Sequence, residues 1–218
     1  MNLNKLLSFI FTTSLELNRV KDDPYRTNAY IFEKVDEEVG EMATELLIQK
    51  NNFLNLSPGK DGLAGETVDA FVSIVDFYSN QQIGKCKHVI AKELIEALNN
   101  EYQTTFVTVE DVFNHAFVAY DGKLDAESVF KGLVALKGEI NCQMHIDKGL
   151  SYKLPEPGKL EKLTVQFIAL NMFYYELISD KTTESTVEDF CNTVFVKMNK
   201  WRKTRGFKEI DINAFMNN

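Results

Sequence analysis

The segment 66–78 reads Glu-Thr-Val-Asp-Ala-Phe-Val-Ser-Ile-Val-Asp-Phe-Tyr, and its residues Glu66, Asp69, Ser73 and Asp76 fall at i, i+3, i+7 and i+10. At 3.6 residues per turn these four lie on one narrow stripe of a helix otherwise built largely of Val, Phe, Ile and Ala. A helix this apolar belongs in an interior. Carboxylates carried there need a cationic partner, a proton or a metal ion.

A second acid row precedes it. Glu33, Glu37, Glu41 and Glu45 recur every fourth residue, which stacks them on one helix face. Each like-charge pair at that spacing costs about 0.2–0.5 kcal/mol, and solvated helices usually alternate sign along such a row. Here Lys34 is the one basic residue between Glu33 and Lys50. The bland account is a solvated face followed by a polar seam. The sharper account is a site for an external cation between two facing helices. Oxygen-only donors suit Mg²⁺ or Mn²⁺ rather than zinc.

Glu38-x-x-Glu41, a gap of 24 residues, and Glu66-x-x-Asp69 together resemble the signature of the all-α nucleoside triphosphate pyrophosphohydrolases. That group includes MazG-like proteins, dimeric dUTPases and phosphoribosyl-ATP pyrophosphohydrolase. The stretch 197–207, Lys-Met-Asn-Lys-Trp-Arg-Lys-Thr-Arg-Gly-Phe, also looks like the basic helix end that closes the family's domain. The family's asparagine has no firm counterpart here, Asn199 being a candidate. The resemblance implies an all-α bundle that binds Mg²⁺ (or Mn²⁺) through Glu38, Glu41, Glu66 and Asp69. It also implies cleavage of a nucleoside triphosphate to monophosphate and pyrophosphate.

On that reading Glu37 is the candidate for orienting or deprotonating the attacking water, with further metal ligation as its alternative. Lys60, Lys197, Lys200 and Arg205 are candidates for phosphate contacts. Lys60 sits in a Pro-Gly turn that needs no function. Basic residues near a helix C-terminus are also favoured by the helix dipole alone. Trp201, the only tryptophan, is read first as a core or interface anchor and second as a stacking surface for a base. Two rival functions keep the ion site: a hydrolase of a guanosine tetraphosphate-like alarmone, and a non-catalytic helical interaction or regulatory module.

Four prolines and eleven glycines in 218 residues, with long stretches of 3.6 period, point to helices throughout. A net charge of −8 argues against a general nucleic-acid surface, though not against a nucleotide met by metal ions and a local basic patch. Cys86, Cys142 and Cys191 contain no Cys-x-x-Cys pair and read as buried free thiols in a reducing cytoplasm. His88, His115 and His145 match no zinc spacing. The apolar start at 6–11 is short and runs into Glu16 and Arg19, so a packed first helix is expected rather than a signal peptide. No stretch approaches the roughly 20 apolar residues of a membrane span.

The chain also repeats itself. Thr108-Val109-Glu110-Asp111 and Thr186-Val187-Glu188-Asp189 head two similar segments, each with the look of a capped helix start. Upstream, residues 32–48 lie on residues 130–146, and Thr67 and Tyr78 lie on Thr164 and Tyr175. The first copy carries an extra stretch near 81–105 that reads as another amphipathic helix. Two units follow, 1–125 and 126–218, packed as a pseudo-dimer, with a homodimer as the alternative assembly.

The second copy acts as a natural control. Glu37, Glu38, Glu66, Asp69, Ser73 and Asp76 correspond to Ala135, Leu136, Leu163, Gln166, Leu170 and Phe173. Acids needed for folding alone would be expected in both copies. A composite site is therefore expected, with acids from the first unit and support, including bases, from the second.

Overall fold

A computed structural model of the chain describes residues 1–20, 23, 26–51, 57–82, 84–120 and 125–217. The described residues form nine helices and no strand. They are α1 (Leu3–Leu17), α2 (Asn28–Asn51), α3 (Gly62–Gln81), α4 (Lys87–Tyr102), α5 (Val109–Tyr120), α6 (Ala126–Asp147), α7 (Lys159–Ile178), α8 (Thr183–Thr204) and α9 (Ile212–Asn217). The expected all-α bundle is what the chain forms. None of these helices is long and apolar enough to cross a membrane.

Helix α3 shows why. Fifteen of its residues are buried, Glu66, Ser73 and Asp76 among them, so it is enclosed on nearly every side. Helix α2 lies along it and contributes the stripe Ile31, Phe32, Val35, Val39 and Met42. Glu33, Glu37 and Glu41 stay on the solvated side. Helices α6 and α7 pack as a corresponding pair, and α3 meets α7 between the two pairs. Helices α1 and α8 both lie on α3, while α4 and α5 both lie on α7. Helix α8 thus packs on the acid-bearing helix α3, and one continuous apolar core takes in residues from both sequence segments. The junction between the two sequence units, at 121–124, falls outside the described residues.

Local signals explain most helix ends. Asn2 caps α1 by accepting from Lys5 N at 3.1 Å. Thr108 Oγ1 accepts from Asp111 N at 3.1 Å, and Asp111 Oδ2 accepts in return from Thr108 N at 2.7 Å. That is the reciprocal cap expected there. Its sequence counterpart departs from expectation. Helix α8 starts one turn before Thr186, with Thr182 as its cap, and Thr186 Oγ1 donates instead to Thr182 O at 3.0 Å. The extra stretch of the first copy is α4, as its periodicity predicts.

The expectation of three buried thiols is corrected. Cys191 is buried, but Cys86 and Cys142 are exposed, at the start of α4 and on the outer face of α6.

Phe190 of α8 ties four helices together. Its ring centroid lies 5.0 Å from that of Phe71 on α3, 5.5 Å from Phe113 on α5 and 4.8 Å from Tyr175 on α7. Removing it opens a cavity where α3, α5, α7 and α8 meet. Phe190→Ala should lower stability by about 3–5 kcal/mol in urea titrations.

Candidate metal centre

The two acid helices face each other, and three carboxylates converge between them. One oxygen from each of Glu38, Glu66 and Asp69 lies within 4.8 Å of the others. Glu38 comes from α2, whereas Glu66 and Asp69 sit one turn apart on α3. Glu41 reaches the same place from the rim of α2, hydrogen-bonding the Glu66 carboxyl. The four acids predicted to act together are therefore neighbours.

Their protonation records the crowding. Burial first, then the charges of Asp69, Glu41 and Glu66, push Glu38 up to about 8. Burial and the Glu41 carboxylate push Glu66 up to about 7. Burial also raises Asp69, against the opposing pull of Lys197. Acids in this state are stabilised by protons or by a cation. All the donors are carboxylate oxygens, the hard set that fits Mg²⁺ or Mn²⁺.

Glu45, the fourth member of the α2 row, has a different use. It is buried, and its Oε1 accepts from Gly59 N at 2.6 Å. This holds the end of the loop before α3 against the acid cluster. A Cβ at residue 59 would sit 2.8 Å from that same oxygen, so a larger residue would have to push the Glu45 carboxylate aside. The Pro-Gly turn is thereby tied to the site. The preceding residues 52–56 fall outside the described set.

The predicted bases divide. Lys197 crosses from α8 into the cluster with 7% of its side chain exposed. Its Nζ donates to Asp61 Oδ2 at 2.6 Å and also to Asp69 Oδ2. Burial works against its charge, but the two carboxylates outweigh burial and raise its pKa. Hydrogen bonding to Lys197 holds Asp61 below the usual carboxylate range. Although Asp61 occupies the N-cap position of α3, its side chain makes no cap bond, because the carboxylate is turned to Lys197. Gly65 permits this, since a Cβ there would lie 2.6 Å from the Asp61 Cβ.

Lys200 is exposed, one turn along α8, and its charge is felt at both Asp61 and Asp69. Lys60 is exposed beside Asp61. Arg205 lines the cavity whose wall includes Glu38, its Nη1 3.4 Å from Asp23 Oδ2. Glu37 is exposed and ion-paired with Lys34 in the preceding turn, at the edge of the cluster.

Two residues take roles other than those anticipated. Asp76 does not join the acids. Arg26 holds it through two hydrogen bonds, Nη1 to Oδ2 at 2.6 Å and Nη2 to Oδ1 at 2.8 Å. Asn199, the candidate for the family's asparagine, is a latch instead. It donates to Ile210 O at 3.1 Å and accepts from Ile210 N at 2.9 Å, fixing the turn after α8. Trp201, half-buried and packed against the core, also lines a cavity of about 260 Å³ whose wall includes Glu38, Ser73 and Asp76.

Sequence reasoning did not single out Asp61, Arg26 or Glu45 as partners. Asp61 lies one helical turn before Gly65 and two before Asp69, a spacing that marks it in retrospect. Arg26 lies outside the nine α-helices and leaves no periodic signal.

Comparison with protein-family models, with curated proteins and with solved structures finds no match.

The raised acids set a pH dependence for the metal-free protein. Folded Glu38 keeps a proton that the unfolded chain releases between 4.5 and about 8, so its stabilising contribution is complete below that window and lost above it. Glu66 acts in the same direction, between 4.5 and about 7. Denaturation in EDTA should show stability falling across the window, and Glu38→Gln should flatten the fall and be the more stable protein near pH 8. Parallel curves for the two proteins would contradict the assignment.

Proposed function

We propose that this chain is a magnesium-dependent nucleoside triphosphate pyrophosphohydrolase, releasing pyrophosphate and leaving the nucleoside monophosphate. The observation that carries the reading is the meeting of Glu38, Glu66 and Asp69 from two facing helices, with Glu41 hydrogen-bonded at the rim. Burying carboxylates this close together is unfavourable without a compensating charge, and their positions match the acid signature noted above.

Magnesium at this place would neutralise charge on the triphosphate and make the attacking water more acidic. The chain's residues do the rest. Glu38, Glu41, Glu66 and Asp69 would hold the ion, and Glu38 and Glu66 would give up their protons to do so. Lys197 and Lys200 place positive charge on the same side as the acids, where the leaving pyrophosphate gains negative charge. Glu37, exposed at the edge, accepts the proton of the attacking water. The water oxygen bonds to the α-phosphorus, and the bond to the bridging oxygen of pyrophosphate breaks. Lys60 and Arg205 meet the outer phosphates from the rim.

Lys197 reaches the acids within one chain, so this arrangement does not depend on a second copy. Three free cysteines, two of them exposed, fit a reducing cytoplasm.

One observation favours a second reading. Lys197 already neutralises Asp69, which would also suit a non-catalytic module retaining a divalent-ion site. Purified protein incubated with a panel of nucleoside triphosphates and an alarmone, with Mg²⁺, separates these readings through release of pyrophosphate. The hydrolase should act on at least one triphosphate. Activity confined to the alarmone, or none on any nucleotide, would overturn the assignment. Glu66→Gln should lower turnover by more than about 100-fold, beyond the loss typical of a residue that only supports a metal ligand. Circular dichroism of that variant should stay native.

A further inference from the structure

The last turn of α3, the end of α1 and the start of α4 border a cleft of about 840 Å³. Its charges do not balance. Besides His88, four basic side chains line it, Arg19, Arg26, Lys85 and Lys87, against one carboxylate, Glu16. Three of these charges are already answered: Arg26 by Asp76 at 2.6 Å, Lys85 by Glu93 at 2.7 Å, and Glu16 by Arg202. Arg19 and Lys87 have no ion-pair partner among the described residues. Neutral groups hold Lys87 instead. Its Nζ donates to Thr12 Oγ1 at 3.1 Å and lies 5.4 Å from the centre of the Phe215 ring.

The start of α4 adds to the excess. Lys85-Cys86-Lys87-His88 puts lysines at the end of the helix where the dipole is already positive, and the first turn carries no acid. Cys86, at the N-cap position, makes no side-chain cap bond, so the first N–H groups of the helix lack a side-chain acceptor. A buried group points to the same place independently. Ser79 lines the cleft from α3 while only 1% exposed, and its Oγ has no hydrogen-bond partner. A hydroxyl left unsatisfied at that depth is uncommon in folded proteins, and on the cleft floor it is a donor for whatever fills the space.

We propose that this cleft binds a small phosphate monoester, with Arg19, Lys87 and the N–H groups at the start of α4 meeting the phosphate and Ser79 donating to the ligand on the floor. Two unanswered cations and a helix N-terminus call for about two negative charges, which a phosphate monoester approaches near neutral pH and a carboxylate does not. The volume lies in the roughly 300–1,000 Å³ range of small-molecule pockets, so the rest of the ligand has room. A net charge of −8 on the whole chain confines the attraction to the cleft, which disfavours an extended polyanion such as nucleic acid or an anionic membrane. Arg26 lines both this cleft and the 260 Å³ cavity, so the two are one side chain apart, yet the cleft contains none of the clustered acids. The proposal does not depend on the hydrolase reading.

NMR of isotope-labelled protein in EDTA tests it, with glycerol phosphate, inorganic phosphate and acetate titrated separately and the backbone amides of Lys87 and His88 as reporters. Both phosphates should move these two signals and half-saturate at concentrations about tenfold or more below acetate. Lys87→Gln and Arg19→Ser, followed at His88, should each raise the half-saturating concentration of glycerol phosphate about tenfold. Arg19 is exposed, so its replacement serves if loss of Lys87 disturbs the fold. Phosphates no more effective than acetate, undiminished binding by a folded Arg19→Ser protein, or tighter binding of an oligonucleotide or of phosphatidylserine vesicles would overturn the proposal. Triphosphate hydrolysis with no response at Lys87 and His88 would sink it and leave the proposed function standing. A response there without hydrolysis would do the reverse.

Discussion

A nearly buried helix carrying three carboxylates has to find compensation for each of them, and most of what is distinctive in this molecule follows from how it does so. Each acid of α3 has a different solution. Glu66 shares its surroundings with Glu38 and Glu41, where protons, or an ion, relieve the repulsion. Asp69 takes the ammonium of Lys197. Asp76 takes the guanidinium of Arg26 in a two-point pair. The stripe is continuous in sequence but serves two neighbouring places, an acid cluster and a cavity, joined at Glu38.

Those solutions bring in distant parts of the chain. Lys197 comes from α8, over a hundred residues after the acids, and it can arrive because α8 packs on α3 and α1. Phe190, on the same helix, locks that placement through rings on α3, α5 and α7. Packing and chemistry are therefore linked through α8. Two glycines complete the arrangement by absence of bulk: Gly59 lets the loop close on Glu45, and Gly65 lets Asp61 turn toward Lys197.

Much of this was legible beforehand, for identifiable reasons. Helices were readable because the 3.6 period of α2, α3 and α4 is strong and the chain is poor in proline. The convergence of Glu38, Glu41, Glu66 and Asp69 was readable because i, i+3 spacing places each pair on one face, and two such faces on adjoining helices tend to meet. The contrast between copies was informative as well, since Leu163, Gln166 and Phe173 occupy α7 where α3 carries its acids. Less accessible were the partners. Asp76 looked like a member of the acid site, and its separation depends on Arg26, which lies outside the nine α-helices. Asn199 looked like a ligand-binding residue and is a latch for Ile210. Exposure of Cys86 and Cys142 depends on which faces of α4 and α6 remain uncovered.

What the residues alone determined is the set of local commitments: helical periodicity, the faces on which acids and apolar groups fall, and the imbalance of charge that demanded a counterpart. These depend on neighbours three or four positions apart, within reach of a single turn. Only the tertiary structure decided which cation meets which carboxylate, where the cavity opens, and that α8, from the second copy, packs on the acid-bearing helix α3 of the first. Those choices depend on contacts between residues far apart along the chain, whose geometry is set by how whole helices pack.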